Sequence, residues 1–292
     1  MLNRRLPRLA AAVAVVLASW LIGGCVDRSD LVPTGSHTES EPPGAQAALI
    51  PSGSLRSAAV LVNASAPADD LLASAFCSGV LVAERALATA RHCLDGRTAE
   101  SVHVVVGADN ICSDAPVVGR RLGVVDIVGY PGGASYDVAV LHLDSPVSVR
   151  PVEVGDARVG DELIAVGWGR SGLGGPRDCS RSSIPLQVVP VTECRPAADA
   201  SNRPVDTLRH LCTRPMPEAR RNTCSGDSGG PLLRPGADGV PVVVALTAWG
   251  PGCETDDVGV AMSLASELAW LRSAATGSAA PATAGPRAST NR

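Results

Sequence analysis

The segment Cys224-Ser225-Gly226-Asp227-Ser228-Gly229-Gly230-Pro231 sets a serine among glycines with an aspartate directly before it. Glycine permits backbone angles that a side chain forbids, so Ser228 can stand exposed as a nucleophile. Backbone N–H groups turned toward one point, here those of Gly226 and Ser228, can hold the oxyanion of an acyl-transfer intermediate. A serine hydroxyl attacks poorly until a base takes its proton. Upstream, the chain offers His92 in Leu87-Ala88-Thr89-Ala90-Arg91-His92-Cys93 and Asp137 in Tyr136-Asp137-Val138-Ala139-Val140-Leu141. Taken singly, His92 reads as a core histidine, Asp137 as a turn cap and Ser228 as a turn residue. Taken together they are a nucleophile, a base and a carboxylate to orient the base.

Residues so far apart in sequence meet only on a rigid scaffold. Short Val/Leu-rich runs broken by Gly, Pro and Asp fill residues 49–262; those at 102–106, 138–143, 162–166, 187–191 and 240–246 read as strands. Many short strands with turn punctuation indicate an all-β barrel or sandwich. One helix is expected at 263–272, with Leu264, Leu268 and Leu271 at helical spacing and Ser263 as N-cap. A chain of 292 residues with 45% hydrophobic content can bury a sizeable core in one or two closely packed units. Aromatics make up only 2%, so Val, Leu and Ala must fill that core. Net charge is −4, all 25 basic positions are Arg, and their scatter gives no nucleic-acid footprint.

The octapeptide resembles the GDSGGP signature of the chymotrypsin/trypsin-like serine proteases. The His92 segment resembles that family's LTAAHC, and Asp137 to Leu141 its DIALL strand. The order His, Asp, Ser is that of chymotrypsin-like enzymes, whereas subtilisins and α/β-hydrolases order the three differently. Further likenesses are Cys77-Ser78-Gly79-Val80-Leu81-Val82 to CGGSLI, Val166-Gly167-Trp168-Gly169 to the GWG turn, the strand from Leu186 to Val191 with Cys194 beyond it, and Ala248-Trp249-Gly250-Pro251-Gly252-Cys253 to SWG-x-GC. The resemblance spans about residues 49 to 273. It implies two six-stranded antiparallel barrels, at about 49–150 and 151–262, with the catalytic cleft between them and the helix closing the domain. It also implies peptide hydrolysis without metal or organic cofactor, protein or peptide substrates, and a monomer. Substrate contacts would come from Asn222, Ser225, Trp249, Gly250 and Gly259. The rival from another class is a catalytically silent protease-fold binding protein.

The N-terminus reads as a targeting segment. Arg4, Arg5 and Arg8 precede an apolar run from Ala10 to Ile22 that is short for a membrane span. Leu21-Ile22-Gly23-Gly24-Cys25 resembles a bacterial lipobox with Cys25 as the lipidated residue; the alternative is a signal peptide cut near Ala18 or Ser19. The expectation is an exported, lipid-anchored protein at the periplasm or cell surface. Residues 26–48 read as a flexible spacer and 274–292 as a disordered tail. Nine cysteines leave eight once Cys25 is set aside. The family resemblance pairs Cys77 with Cys93, Cys194 with Cys212 and Cys224 with Cys253, and Cys112 with Cys179 is expected as a fourth bridge.

Several positions depart from the family pattern. Arg91 stands where a small residue is usual beside the histidine, and Ala248 where a serine usually supports the aspartate. Asn222, six residues before Ser228, replaces the aspartate that gives trypsin its preference for basic side chains, so an uncharged pocket is expected. Arg220, Arg221, Glu254, Asp256 and Asp257 are expected to be solvated at the surface. In the family a freshly cut N-terminus pairs with the aspartate before the nucleophile, here Asp227. No Ile-Val-Gly-Gly stretch is present, and the nearest candidates are Leu49 and Ile50, so cleavage near residues 47–50 is expected unless another cation serves Asp227.

Overall fold

The computed structural model describes residues 50, 52–68, 70–112, 119–132, 136–236 and 240–277. The expected lipidation at Cys25, the spacer at 26–48, the cleavage candidate Leu49 and the tail beyond residue 277 lie outside the described residues.

Six strands form a closed antiparallel barrel: β1 (Ala58–Asn63), β2 (Ala75–Ala83), β3 (Ala86–Thr89), β4 (Val102–Val106), β5 (Arg120–Gly129) and β6 (Ala139–Leu143). Their order is β1-β2-β3-β6-β5-β4, with β1 pairing β4 to close it. The remaining strands are β7 (Glu153–Val154), β8 (Glu162–Gly167), β9 (Ser182–Val189), β10 (His210–Pro215), β11 (Pro231–Pro235), β12 (Pro241–Trp249) and β13 (Gly259–Ser263). Six of them run β11-β8-β9-β10-β13-β12 and close through β11 and β12, while β7 adds a short parallel pair to β12.

The near-continuous apolar runs follow from this architecture. Successive side chains on a strand point to opposite faces, and both faces of these strands are buried. Along β1, Ala59 and Leu61 point into the first barrel with Leu81, Leu87 and Leu141. Ala58, Val60 and Val62 join a second cluster that includes Val166, Leu233, Val243 and Leu246 of the second barrel. The same alternation leaves Leu163, Ala165 and Leu232 inside that second barrel. A cluster shared by both barrels therefore holds the loops between them in fixed relation.

The strand expected at 187–191 begins earlier, at Ser182, and stops at Val189. Pro190 lacks the N–H a ladder needs and instead leads into a 3-10 turn at Val191–Glu193. The expected helix also shifts. Ser263 is the last residue of β13 rather than an N-cap, and its carbonyl accepts from the Tyr136 hydroxyl at 2.8 Å. A 3-10 turn at Ala265–Glu267 follows, and the helix proper is Leu268–Ala275, burying Leu271 and Ala274. Two shorter helices, Leu71–Ser74 and Arg195–Ala200, and 3-10 turns at Ser52–Ser57 and Ala99–Ser101 also occur among the described residues.

Candidate active site

His92 lies on a 3-10 turn, Arg91–Leu94, directly after β3. The Cys77–Cys93 disulfide ties that turn to β2. Asp137 precedes β6, and its carbonyl accepts the Arg91 N–H at 3.2 Å, so the two loops are joined through the backbone as well. Its carboxylate accepts the His92 backbone N–H on Oδ1 at 2.8 Å and stands 2.6 Å from His92 Nδ1 through Oδ2. An ionised carboxylate only accepts, so Nδ1 carries the hydrogen and the neutral ring leaves Nε2 as an acceptor. His92 is 40% exposed and Asp137 19%. Among the described residues no third donor reaches the Asp137 side chain, in keeping with the alanine at position 248.

Ser228 sits on the loop between β10 and β11, half-buried. Its carbonyl accepts the N–H of Ser78 on β2 at 2.8 Å, a bond that crosses between the barrels. Ser78 Oγ donates to the Gly226 carbonyl at 2.9 Å, so one residue of the first barrel fixes both sides of the nucleophile. Cys93 Sγ lies 3.9 Å from His92 Nε2 and 3.8 Å from the Ser228 carbonyl oxygen, placing base and serine around one sulfur. The Ser228 hydroxyl makes no hydrogen bond to His92 among the described residues; such contacts often tighten only when substrate is bound. Gly226 has φ +105, a region closed to most side chains, and a Cβ there would also strike the Arg177 guanidinium. No acceptor among the described residues takes the N–H of Gly226 or of Ser228.

Four disulfides are present: Cys77–Cys93, Cys112–Cys179, Cys194–Cys212 and Cys224–Cys253. Cys224–Cys253 anchors the serine loop to the segment after β12. Cys77, Cys93 and His92 cluster within 4.8 Å, but both sulfurs are spent on each other and offer a metal no thiolate.

Asn222 is 1% exposed. Its Nδ2 donates to the Asp257 carbonyl at 2.9 Å and its Oδ1 accepts the Thr223 N–H at 2.8 Å. A Cβ on Gly259 would come within 3.6 Å of Asn222 Oδ1 and of Thr223 Oγ1, so Gly259 and Asn222 border the same space. Gly250 faces the Val258 carbonyl in the neighbouring segment, Ser225 is exposed, and Trp249 carries Arg203 over its ring at 5.7 Å. A cavity of about 450 Å³ opens beside the pair, lined by His92, Asp137, Arg203, His210, Trp249 and Met262. Another concavity, about 620 Å³ between Arg56, Arg120, Arg150 and Pro241, lies away from these groups.

Four of the five charged residues expected at the surface are there in some measure: Arg220, Glu254 and Asp256 are exposed, and Asp257 is half-buried. Arg221 is not. Its side chain is 8% exposed and forms an ion pair with Asp227, which is 2% exposed. This partner was missed because position alone does not say which way a guanidinium turns. The signal was available in an acid that required a cation and lacked an N-terminal one, with two arginines in its own loop. Arg91 reaches Asp95 at 3.9 Å and lies along Gly129. His210 accepts the Asp206 N–H at 3.1 Å; burial, only partly countered by Asp206, holds its pKa below the ordinary histidine value.

Comparison with known proteins gives this geometry its context. The trypsin family model matches residues 52–271. A trypsin of Saccharopolyspora erythraea is 29% identical over 184 residues, covering 61% of this chain and 77% of that protein. Ovochymase-2 of Mus musculus is 27% identical over 61% of this chain, and phenoloxidase-activating enzyme 1 of Spodoptera litura 25% over 67%. The chain spans only 31% and 58% of those two proteins. With two closed barrels and a family match over most of its length, the chain belongs to the trypsin family of serine proteases.

Proposed function

We propose that the protein is an exported serine endopeptidase that works through an acyl-enzyme on Ser228. The His92–Asp137 pair at 2.6 Å, joined to the serine loop across Ser78 and Cys93, is the observation that carries this reading. His92 Nε2 takes the Ser228 proton as the hydroxyl attacks the scissile carbonyl, and then returns it to the leaving amine. Asp137 keeps Nδ1 protonated and stabilises the imidazolium. The N–H groups of Gly226 and Ser228 hold the oxyanion, and each such donor is worth about 10²–10³ in kcat in other hydrolases. The backbone from Trp249 to Gly250 pairs with the substrate chain as an added strand. No step calls for a metal or cofactor.

The primary pocket takes uncharged side chains. Asn222 brings no charge to its floor, its amide is already engaged by Asp257 and Thr223, and the nearby Arg221 charge is neutralised by Asp227. Lipidation at Cys25 would hold the enzyme at the outer face of the membrane it crosses, as a monomer at the end of a spacer.

Peptide-library hydrolysis by the wild-type chain and by Ser228→Ala tests the proposal. The wild type should cleave after uncharged residues, and Ser228→Ala should fall to background. Equal turnover by both proteins would overturn the peptidase reading; strong cleavage after Arg or Lys would overturn the neutral pocket.

A further inference from the structure

We propose that Arg221 supplies, from inside the folded domain, the cation that Asp227 requires, so that the oxyanion loop is set without any newly cut N-terminus. This rests on the peptidase reading above and concerns how its site is switched on.

Asp227 lies between the two residues whose N–H groups would hold the oxyanion, so its side chain decides how those groups are presented. A buried, unpaired carboxylate is costly and would pull the loop toward solvent. Here the carboxylate is fully engaged. Oδ1 accepts the Gly169 N–H at 2.8 Å and Arg221 Nη2 at 3.4 Å; Oδ2 accepts the Cys224 N–H at 2.9 Å and Arg221 Nη1 at 2.5 Å. A carboxylate has about four lone-pair sites, and four donors occupy them. Nη1 of Arg221 also donates to the Asn222 carbonyl at 2.9 Å, which fixes the direction of the guanidinium. The surrounding residues leave this arrangement little room to change. A Cβ on Gly169 would fall on the Asp227 carboxylate, so only glycine lets the Gly169 N–H approach this closely. An incoming ammonium would have to displace Arg221 from an ion pair that is almost wholly buried.

A guanidinium differs from an α-amino group in two ways that matter. It is part of the chain from synthesis onward, so no cleavage has to create it. It also stays charged at any accessible pH, whereas an α-amino group loses its proton near pH 8. The cleavage expected near residues 47–50 is then unnecessary for activity, and the domain can work while still joined to its spacer. Arg221 acts through Asp227 and is a positioning residue.

The sequence contains no lysine, so an amine-acylating reagent can modify only the chain's N-terminal amine. The test measures fluorophosphonate labelling and peptide hydrolysis in the chain as exported, with the presence of residues 26–48 checked by mass, before and after acylation. Expected are labelling of the uncut chain, less than twofold change on acylation, and a kcat that does not fall between pH 8 and 10. Arg221→Gln should lose about 10²-fold or more in kcat, the scale of one oxyanion donor. Arg221→Lys should recover most of it at pH 7 and lose it again above pH 10, where a lysine deprotonates. Should Arg221→Gln fail to fold, the acylation and Arg221→Lys arms still decide. The inference is overturned if only a chain cut upstream of the domain is active and acylation of its new amine abolishes turnover, or if folded Arg221→Gln keeps wild-type kcat. If neither the cut nor the uncut chain ever labels, the peptidase reading falls and this inference with it.

Discussion

Asp137 and Asp227 carry the same side chain, one bonded to His92 and one directly before Ser228, and their surroundings are opposite. Asp137 is partly exposed and accepts both of its bonds from one residue, His92. Asp227 is sealed, accepts four bonds from three residues, and pairs with a buried guanidinium. In the proposed mechanism the first carboxylate serves a group that gains and loses a proton in each cycle, so a loose setting costs little. The second serves a backbone geometry that should not change, and it is built accordingly. Removing Asp137 should therefore damage rate, and removing Asp227 should damage the fold of its loop.

The sharpest break of this comparison is kinetic. Asp137→Asn should lower kcat by about 10⁴-fold, the scale seen when the histidine is held in the wrong tautomer. Its stability should shift by no more than about 1 kcal/mol, because the pair is partly solvated; denaturant titration checks this. Asp227→Asn leaves Arg221 buried without its counter-charge and should cost about 3–5 kcal/mol in the same titration. If the two variants showed equal stability losses, the distinction between a loose and a locked carboxylate would fail.

Acid should expose a further difference. His103 accepts from Arg121 Nε at 2.9 Å and His210 from the Asp206 N–H at 3.1 Å, both on Nδ1 and so without a proton there. Burial lowers both pKa values, with Arg121 adding to the effect on His103. The unfolded chain, with histidines near 6.5, then binds more protons than the folded one. Stability should fall as pH drops below about 6.5 toward the lowered folded values, and be fully present above it. Thermal unfolding from pH 7.5 to 5 should show this slope, and His210→Gln should flatten it. An unchanged slope would mean that His210 is not held neutral. The smallest effect is expected at Ala248, where Ala248→Ser should change kcat less than tenfold, since the bond it would add only supports an aspartate already engaged by His92.

What could be read from the sequence was what is written locally. The glycine-framed serine, the histidine beside a cysteine and the aspartate before a strand each carry their flanking residues with them, and their order points to one family. The short apolar runs also marked strands, because both faces of these strands are buried. The helix register was lost at Ser263: the same leucine spacing serves a strand end, a 3-10 turn and then a helix. Arg221 was lost for a different reason. It shares its loop with the exposed Arg220, and the two differ only in which one Asp227 draws inward, a matter of three-dimensional packing.

Mass mapping of a fluorophosphonate adduct shows whether Ser228 is the nucleophile of a site already assembled in the uncut chain. One adduct is expected per chain that keeps its spacer, on the peptide containing Ser228, and none in Ser228→Ala. An adduct on another serine, or labelling that appears only after the spacer is cut, would contradict it.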